Sequence, residues 1–487
     1  MARNISFTLF VTAVLAGVFL ISFGNSHGHA AVGLPERPNL VVIMSDDQDL
    51  DSLPVMRHLM AYIGGGWIRF TNAFANDAKC CPSRTTFLTG QYSHHHGVIT
   101  NGKGHQLNDA ATLPVWLSAA GYHTGLIGKY LIGFPWTRPD SYRPPGWDVF
   151  EENHKTVDDQ TEQALAFLDA APTDSPFFLY LAYTAPHHEA TPPERYADAD
   201  VFIPPRRPNF NEADVSDKPL WVRREPPLSP MDIDKWDKER ANSQRELLAI
   251  DDGILAVMDK LAAMGQLDNT IVIYLSDQGF SWGSHRWIYK NCPYVECSSY
   301  PLFIRVPGGD NRVETRLVSN VDLAPTLAEL AGATITGIEP DGRSFAPLLT
   351  DPAADWTEGL LMERHAGDAA TKFYAIQTAR YMYSEYANGD VELYDMIADP
   401  YQLQNVAADP AYAAARAEMQ AWLLRLLNGE PLPTATPPGT PPPTPTSTPP
   451  GTPPPPTPTA TPPPPTLTAT LMPPPVDWQY LPAVAGP

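Results

Sequence analysis

Short, unbroken apolar runs alternate with longer stretches of helical spacing along residues 38–331. Leu40-Val41-Val42-Ile43-Met44 carries no polar position, which marks residues 38–45 as a strand buried on both faces. Residues 123–127, 177–183, 270–276 and 301–306 read as further strands. Between them, 112–120, 157–170, 233–264 and 322–331 carry helical spacing, with Thr112 as an N-cap. This alternation predicts an α/β sandwich around a mainly parallel sheet. Asp46-Asp47, Lys129, His187 and Asp277 then fall at or just beyond strand C-termini, where open α/β sheets place their ligands.

The pattern changes after about residue 340. Residues 374–386 and 390–394 read as short antiparallel strands, and 410–427 as an Ala/Leu-rich amphipathic helix. The predicted organisation is a main domain over 38–340 and a small α+β subdomain over 341–430. Residues 431–475 are almost entirely Pro, Thr, Gly, Ala and Ser, a composition that cannot build a core. They predict an extended stalk, on the order of 100 Å if fully stretched at ~3.1 Å per residue. The 476–487 tail holds Trp478-Gln479-Tyr480-Leu481-Pro482, which reads either as a tag for attachment to the cell envelope or as a plain tail. At the other end, Arg3, an apolar run over 5–23 and Gly28-His29-Ala30 read as a signal peptide over 1–30, the alternative being a retained anchor. The expected location is therefore secreted or at the cell surface.

With 33 Lys and Arg against 55 Asp and Glu, the formal net charge is −22, which argues against nucleic acid as a partner. Four cysteines occur: Cys80, Cys81, Cys292 and Cys297. The last two are close enough in sequence to pair in an oxidising compartment. Their spacing fits none of the usual zinc patterns.

The chemistry concentrates at Cys80-Cys81-Pro82-Ser83-Arg84, continuing to Leu88-Thr89-Gly90. This stretch resembles the core motif of the type I sulfatases, and the resemblance extends over about 38–427. It implies an alkaline-phosphatase-like fold. It also implies that Cys80 is oxidised to formylglycine by a formylglycine-generating enzyme, with Cys81 in the variable slot. The hydrated aldehyde has two hydroxyls on one carbon. One takes up sulfate, and proton loss from the other expels it, an exit that a plain Ser or Cys lacks.

The resemblance assigns further roles. Asp46, Asp47, Asp277 and Gln278, joined by the converted Cys80, would hold one divalent cation; all-oxygen ligands suit Ca²⁺ or Mg²⁺. Arg84 lies one helical turn beyond Cys80 and would face the same anion if a helix starts there. Lys129, in Gly128-Lys129-Tyr130-Leu131, and Lys290 would bind sulfate. His187, in Ala185-Pro186-His187, would stand at the leaving group, with His188 beside it. His285, in Gly283-Ser284-His285, would hold the aldehyde hydrate. Two departures stand out: Gln278 replaces the usual Asn or His, and Leu131 stands where many members have a histidine. His94-His95-His96 reads as a polar loop.

Within the family, the Gly-Lys-Tyr-Leu form, Asn209-Phe210-Asn211 and Asp251-Asp252 resemble the N-acetylglucosamine-6-sulfatases and their extracellular relatives. The expected substrate is a sulfated small molecule or glycan, drawn into a local basic pocket despite the acidic chain. Two other readings carry different expectations: an arylsulfatase or phosphonate or phosphodiester hydrolase of the same fold, and a non-catalytic surface module that binds sulfated glycans.

Overall fold

The computed structural model describes residues 33–134 and 142–432. The 1–30 leader, the stretch beyond Leu432 and the 476–487 tail lie outside the described residues. In chain order the strands of the body are β1 (Asn39–Ser45), β2 (Trp67–Phe70), β3 (Ala73–Phe74), β4 (His123–Gly128), β5 (Val149–Glu152), β6 (Phe177–Ala182), β7 (Thr270–Ser276), β8 (Ser281–Trp282), β9 (Ile288–Tyr289), β10 (Leu302–Arg305), β11 (Arg312–Glu314) and β12 (Val318–Ser319). Eight of them form one sheet in the order β11-β2-β10-β7-β1-β6-β4-β5. All neighbours are parallel except β10, which runs antiparallel to β2 and β7.

Both faces of this sheet are covered, as the unbroken apolar runs require. On β1, Leu40, Val42 and Met44 point into one core with Phe87, Leu88, Trp116, Leu117, Leu323 and Leu327. Val41 and Ile43 point into the other, with Phe167, Leu168, Leu247, Ile250, Ile254 and Val257. The first core is closed by helices Cys80–Thr89, Leu113–Ala119 and Leu323–Leu330, the second by Val157–Ala170 and Pro230–Ala263. The long helix opens on a capping box between Ser229 and Asp232, with Pro230 in its first turn.

A second, antiparallel sheet follows: β13 (Gly359–Arg364), β14 (Phe373–Thr378), β15 (Tyr381–Tyr386) and β16 (Val391–Asp395), in sequential order. One face carries the Ala413–Leu427 helix through Met419 and Leu423 against Leu361, Ile376, Tyr383 and Leu393. The other, through Met382 and Tyr394, shares a core with Trp221 and Tyr294 of the body. Glu392 is fully buried at this seam and accepts hydrogen bonds from the Tyr294, Tyr394 and Tyr386 hydroxyls at 2.7, 2.6 and 2.6 Å.

The register of the main sheet sets up the site. Ser45 pairs with Ser276, and Met44 with Ala182, so the C-terminal ends of β1, β7 and β6 lie side by side. Gly128 pairs with Ala182, which brings the end of β4 to the same edge.

Candidate active site

The Cys80–Thr89 helix starts at the sheet edge and is buried along its whole length. Ser83 donates to the Asp277 carbonyl, and Asn320 Nδ2 donates to Ser83 Oγ at 2.9 Å, which locks the first turn to β7 and the Leu323–Leu330 side of the body. The helix stops at Gly90, whose φ of 70° suits glycine at a helix C-terminus. Cys80 and Arg84, four residues apart, share one face. Both lie where the positive end of the helix dipole favours an anion.

Carboxylates and cations interlock around the Cys80 sulfur. Lys290 Nζ lies 2.9 Å from Cys80 Sγ and 2.5 Å from both Asp47 oxygens. Lys129 Nζ bonds Asp46. Arg84 Nε donates to Asp277 Oδ2 at 2.8 Å, and Arg84 Nη1 to the Lys129 carbonyl at 3.1 Å. Cys80 Sγ stands 3.5 Å from Asp46 Oδ1, 3.9 Å from Asp47 Oδ1 and 3.7 Å from Gln278 Nε2. Asp47 takes a φ of 66°, so its backbone N–H reaches Asp277 Oδ1 at 3.0 Å.

These neighbours set the charges. Burial pushes the Asp46 carboxyl up, but Lys129, Arg84 and His187 together outweigh it and hold it at about 2. Burial likewise opposes ionisation of Asp47, and Lys290 with His188, His187 and Lys129 drives it well below the carboxylate range. Asp277 goes the other way, up to about 6, through burial and then the Asp46 charge, against the pull of Arg84. Burial disfavours the charged forms of Lys129 and Lys290, yet Asp46 and Asp47 keep both above the ordinary lysine value. Burial raises the Cys80 thiol despite Lys129 and Lys290. As a plain thiol, Cys80 is therefore not an activated nucleophile.

Three carboxylates, Asp46, Asp47 and Asp277, can each bring an oxygen within 4.8 Å of the others. Gln278 donates Nε2 to Asp47, while its buried Oε1 has no hydrogen-bond partner among the described residues. An orphaned amide oxygen beside three carboxylates fits a hard cation. Its extra methylene relative to Asn does not keep Gln278 out of the cluster. Arg84 Nη2 is also buried without a hydrogen-bond partner, 3.7 Å from Asp46 Oδ2, and remains open to an anion. Burial leaves each of these groups costly unless a ligand satisfies it.

His187 Nε2 and His188 Nδ1 lie 3.6 and 3.9 Å from Asp47 Oδ2, both rings about 30 % exposed, so the sequence ambiguity between them persists in space. The structure thus brings Cys80, Arg84, Lys129, His187, Lys290, Asp46, Asp47, Asp277 and Gln278 together. It does not bring His285 with them. That ring is fully buried, with Nδ1 2.6 Å from Glu212 Oε2, Nε2 3.2 Å from Asn209 Nδ2, and its face on Tyr294. Both nitrogens are occupied away from the sulfur. Asn209 is thus part of a buried clamp, while Asp251 accepts from the His58 and Leu59 amides at 2.7 and 3.0 Å. Cys81 Sγ accepts from the Ile132 amide at 3.1 Å and packs in the core. Cys292 and Cys297 form a disulfide.

His154 was not legible as a site residue. It follows β5, and its charge interacts with Lys129, Asp46, Arg84 and His187; burial first, then Lys129, lowers its pKa. The signal existed in its place beyond a strand end, but the Val149–Glu152 strand itself is short and polar and did not read as one.

The chain matches the sulfatase family model over residues 38–333 and the model of the N-sulphoglucosamine sulphohydrolase C-terminal region over 283–428. It is 30% identical to an N-acetylglucosamine-6-sulfatase of Capra hircus over 448 residues, covering 76% of this chain and 80% of that protein. It is 28% identical to an N-acetylglucosamine-6-O-sulfatase of Bacteroides thetaiotaomicron, covering 80% and 86%. Among solved structures it resembles BT4656 in complex with its substrate D-glucosamine-2-N,6-O-disulfate, with TM-score 0.65, 25% identity and coverage of 81% and 98%. A phosphonate monoester hydrolase of Agrobacterium radiobacter shares the fold, with TM-score 0.69 and 22% identity over 80% of this chain and 96% of that one. On the fold, the motif and these likenesses, the chain belongs to the sulfatase family, whose members are sulfuric ester hydrolases.

Proposed function

We propose that this protein is an exported sulfatase that hydrolyses sulfate esters of carbohydrate, N-acetylglucosamine-6-sulfate or a close analogue, through formylglycine made from Cys80. The observation that carries the reading is Lys290 Nζ at 2.9 Å from Cys80 Sγ, with Lys129 and Arg84 in the same carboxylate cluster. Three buried cations in one cluster, one of them against Cys80 Sγ, suit a bound sulfuryl group. Lys129 and Lys290 flank the sulfate, and the free Arg84 Nη2 takes one of its oxygens. His187, partly exposed and beside Asp47, gives the proton that the leaving oxygen needs. Asp46, Asp47, Asp277 and Gln278 would hold Ca²⁺ or Mg²⁺ together with the converted Cys80. That cation would supply charge stabilisation for the aldehyde hydrate and one sulfate oxygen. In this reading His285 braces the loop that carries Lys290 and does not touch the nucleophile.

The rest of the reading follows from the sequence. A formylglycine-generating enzyme oxidises Cys80 during maturation. The 1–30 segment directs export, residues 38–340 and 341–430 make up the catalytic unit, and the 476–487 tail serves attachment to the envelope. Extracellular sulfatases of Drosophila melanogaster and Caenorhabditis elegans, each 29% identical, support the location. No helix among the described residues is long and apolar enough to cross a membrane.

A panel of sulfated sugars, aryl sulfates and phosphonate monoesters, followed by sulfate and phosphonate release, tests the proposal. Fastest kcat/KM on a 6-sulfated glucosamine derivative is expected. Higher kcat/KM on a phosphonate monoester would overturn the reaction class, and higher kcat/KM on aryl sulfates the substrate class.

A further inference from the structure

Lys290 follows directly on an aromatic surface that the catalytic reading leaves unused. Tyr289, at the end of β9, is 39 % exposed. Its ring meets Trp236 of the Pro230–Ala263 helix edge-on at 5.1 Å and His188 at 5.3 Å. Phe280, 1 % exposed, underlies the group, 4.4 Å from Trp282 and 6.3 Å from His188. Trp236 and Trp282 are half-buried and 6.3 Å apart. These rings therefore form one continuous rim from the helix to His188, whose Nδ1 is 3.9 Å from Asp47.

The rim is also held in place. The Trp282 indole donates to Asp49 Oδ2 at 2.9 Å. Tyr289 pairs with Ser281 in the β8–β9 hairpin. Its φ is 93°, and Asn291 on the other side of Lys290 has a φ of 70°. An aromatic residue with positive φ is a strained outlier, and such strain persists where the surroundings fix a side chain for a task. Burial does not explain it, because the ring faces outward. Rigid aromatic faces that need no ordering on binding give affinity for flat apolar surfaces.

The geometry points to this rim as the seat of the organic part of the ester: a six-membered ring with an apolar face, seated in the corner that the perpendicular Tyr289 and Trp236 rings form, while its sulfate lies at Lys290. The inference rests on the sulfatase reading above and deepens it. The continuity of the rim with the site is what names the occupant: Tyr289 adjoins Lys290 in the chain, and its ring touches His188 beside Asp47. The apolar C–H face of a pyranose and the π face of an aryl group offer the same chemistry here.

The test compares kcat/KM for a pyranose sulfate, an aryl sulfate and an acyclic alkyl sulfate in the full chain and in Trp236→Ala, Tyr289→Ala and Tyr289→Phe. The wild-type protein should prefer ring esters. That preference should fall about tenfold in Trp236→Ala and Tyr289→Ala, mainly through KM, the size expected for a lost ring contact of ~1.4 kcal/mol. Tyr289→Phe should retain it. The ring ester that loses more identifies which face the rim reads. Trp236 lies on a separate helix, so its variant decides the matter even if Tyr289→Ala disturbs Lys290. An unchanged preference in Trp236→Ala, or a wild-type protein that treats ring and acyclic esters alike, overturns the inference alone. Absence of sulfate release from every ester overturns the sulfatase reading, and this inference with it.

Discussion

The two adjacent cysteines show how much two side chains of one type can differ. Cys80 sits under Lys290 in a carboxylate cluster, whereas Cys81 bonds a backbone amide and packs in the core. Cys80→Ala should abolish turnover and leave the far-ultraviolet circular dichroism unchanged, because one sulfur is removed without opening the helix. Cys81→Ala should keep measurable activity; the reverse pattern would contradict the assignment. Lys290→Ala and Lys129→Ala should each lower kcat/KM by roughly a hundredfold or more, the cost typical of losing one donor to a developing negative charge. Steady-state kinetics at saturating Ca²⁺ would check this, and normal turnover by Lys290→Ala would remove it from the sulfate site. Chelation should inactivate the enzyme, with Ca²⁺ or Mg²⁺ restoring it, since three buried carboxylates repel one another without a cation. Fully active protein with no metal by elemental analysis would refute that expectation.

At the scale of elements, strand ends do most of the positioning, and strands were the most legible feature of the sequence. Residues 38–45, 177–183 and 270–276 were readable because both faces are buried and no polar position interrupts them. Val149–Glu152 is an edge strand with two glutamates, and Trp67–Phe70 contains Arg69, so neither had a pattern to read. The Cys80–Thr89 helix was legible only through its motif, because Pro82 and three threonines give weak helix propensity. His94-His95-His96 reads as a polar loop; the structure makes it a short helix and gives part of it a specific role. His94 Nδ1 and His365 Nε2 lie 2.6 and 3.0 Å from Glu363 Oε2, which ties the Ser93–His96 turn to β13. Burial would raise Glu363, but His365 and His94 hold it at about 2. Burial would lower His94, but Glu363 raises it. A depressed carboxyl contributes stability above its unfolded value, ~4.3, and loses it as pH falls toward 2. A raised histidine contributes below its unfolded value, ~6.5, and loses it as pH rises through the folded one. The thermal destabilisation of Glu363→Gln should therefore be largest between about pH 4.5 and 6.5. It should shrink on both sides; a pH-independent shift would show that the bridge carries no charge.

For the whole molecule, reaction class was more legible than substrate. The cluster of nine residues comes from six separate places along the chain, yet each carries a motif or spacing that survives in sequence. The spacing of His285 to Lys290 does not say which way its ring turns, and Asn209 and Glu212 hold that ring from far along the chain. The aromatic rim had no motif at all, since Trp236 and Tyr289 meet only after folding. The chain-wide charge of −22 also hides the site, where two lysines and an arginine meet three carboxylates. The Ala413–Leu427 helix closes the second sheet. A chain ending near residue 433 should accordingly hydrolyse sulfate esters like the full one, and a lower thermal midpoint after truncation would contradict the stalk reading. The central claim is that Cys80 becomes the nucleophile as an aldehyde. The most direct measurement is the mass of the peptide containing Cys80, taken on protein of known specific activity. The account predicts a residue in which sulfur is replaced by oxygen and two hydrogens are gone, in proportion to activity. An untouched Cys80 thiol in protein that turns over sulfate esters at full rate would contradict it.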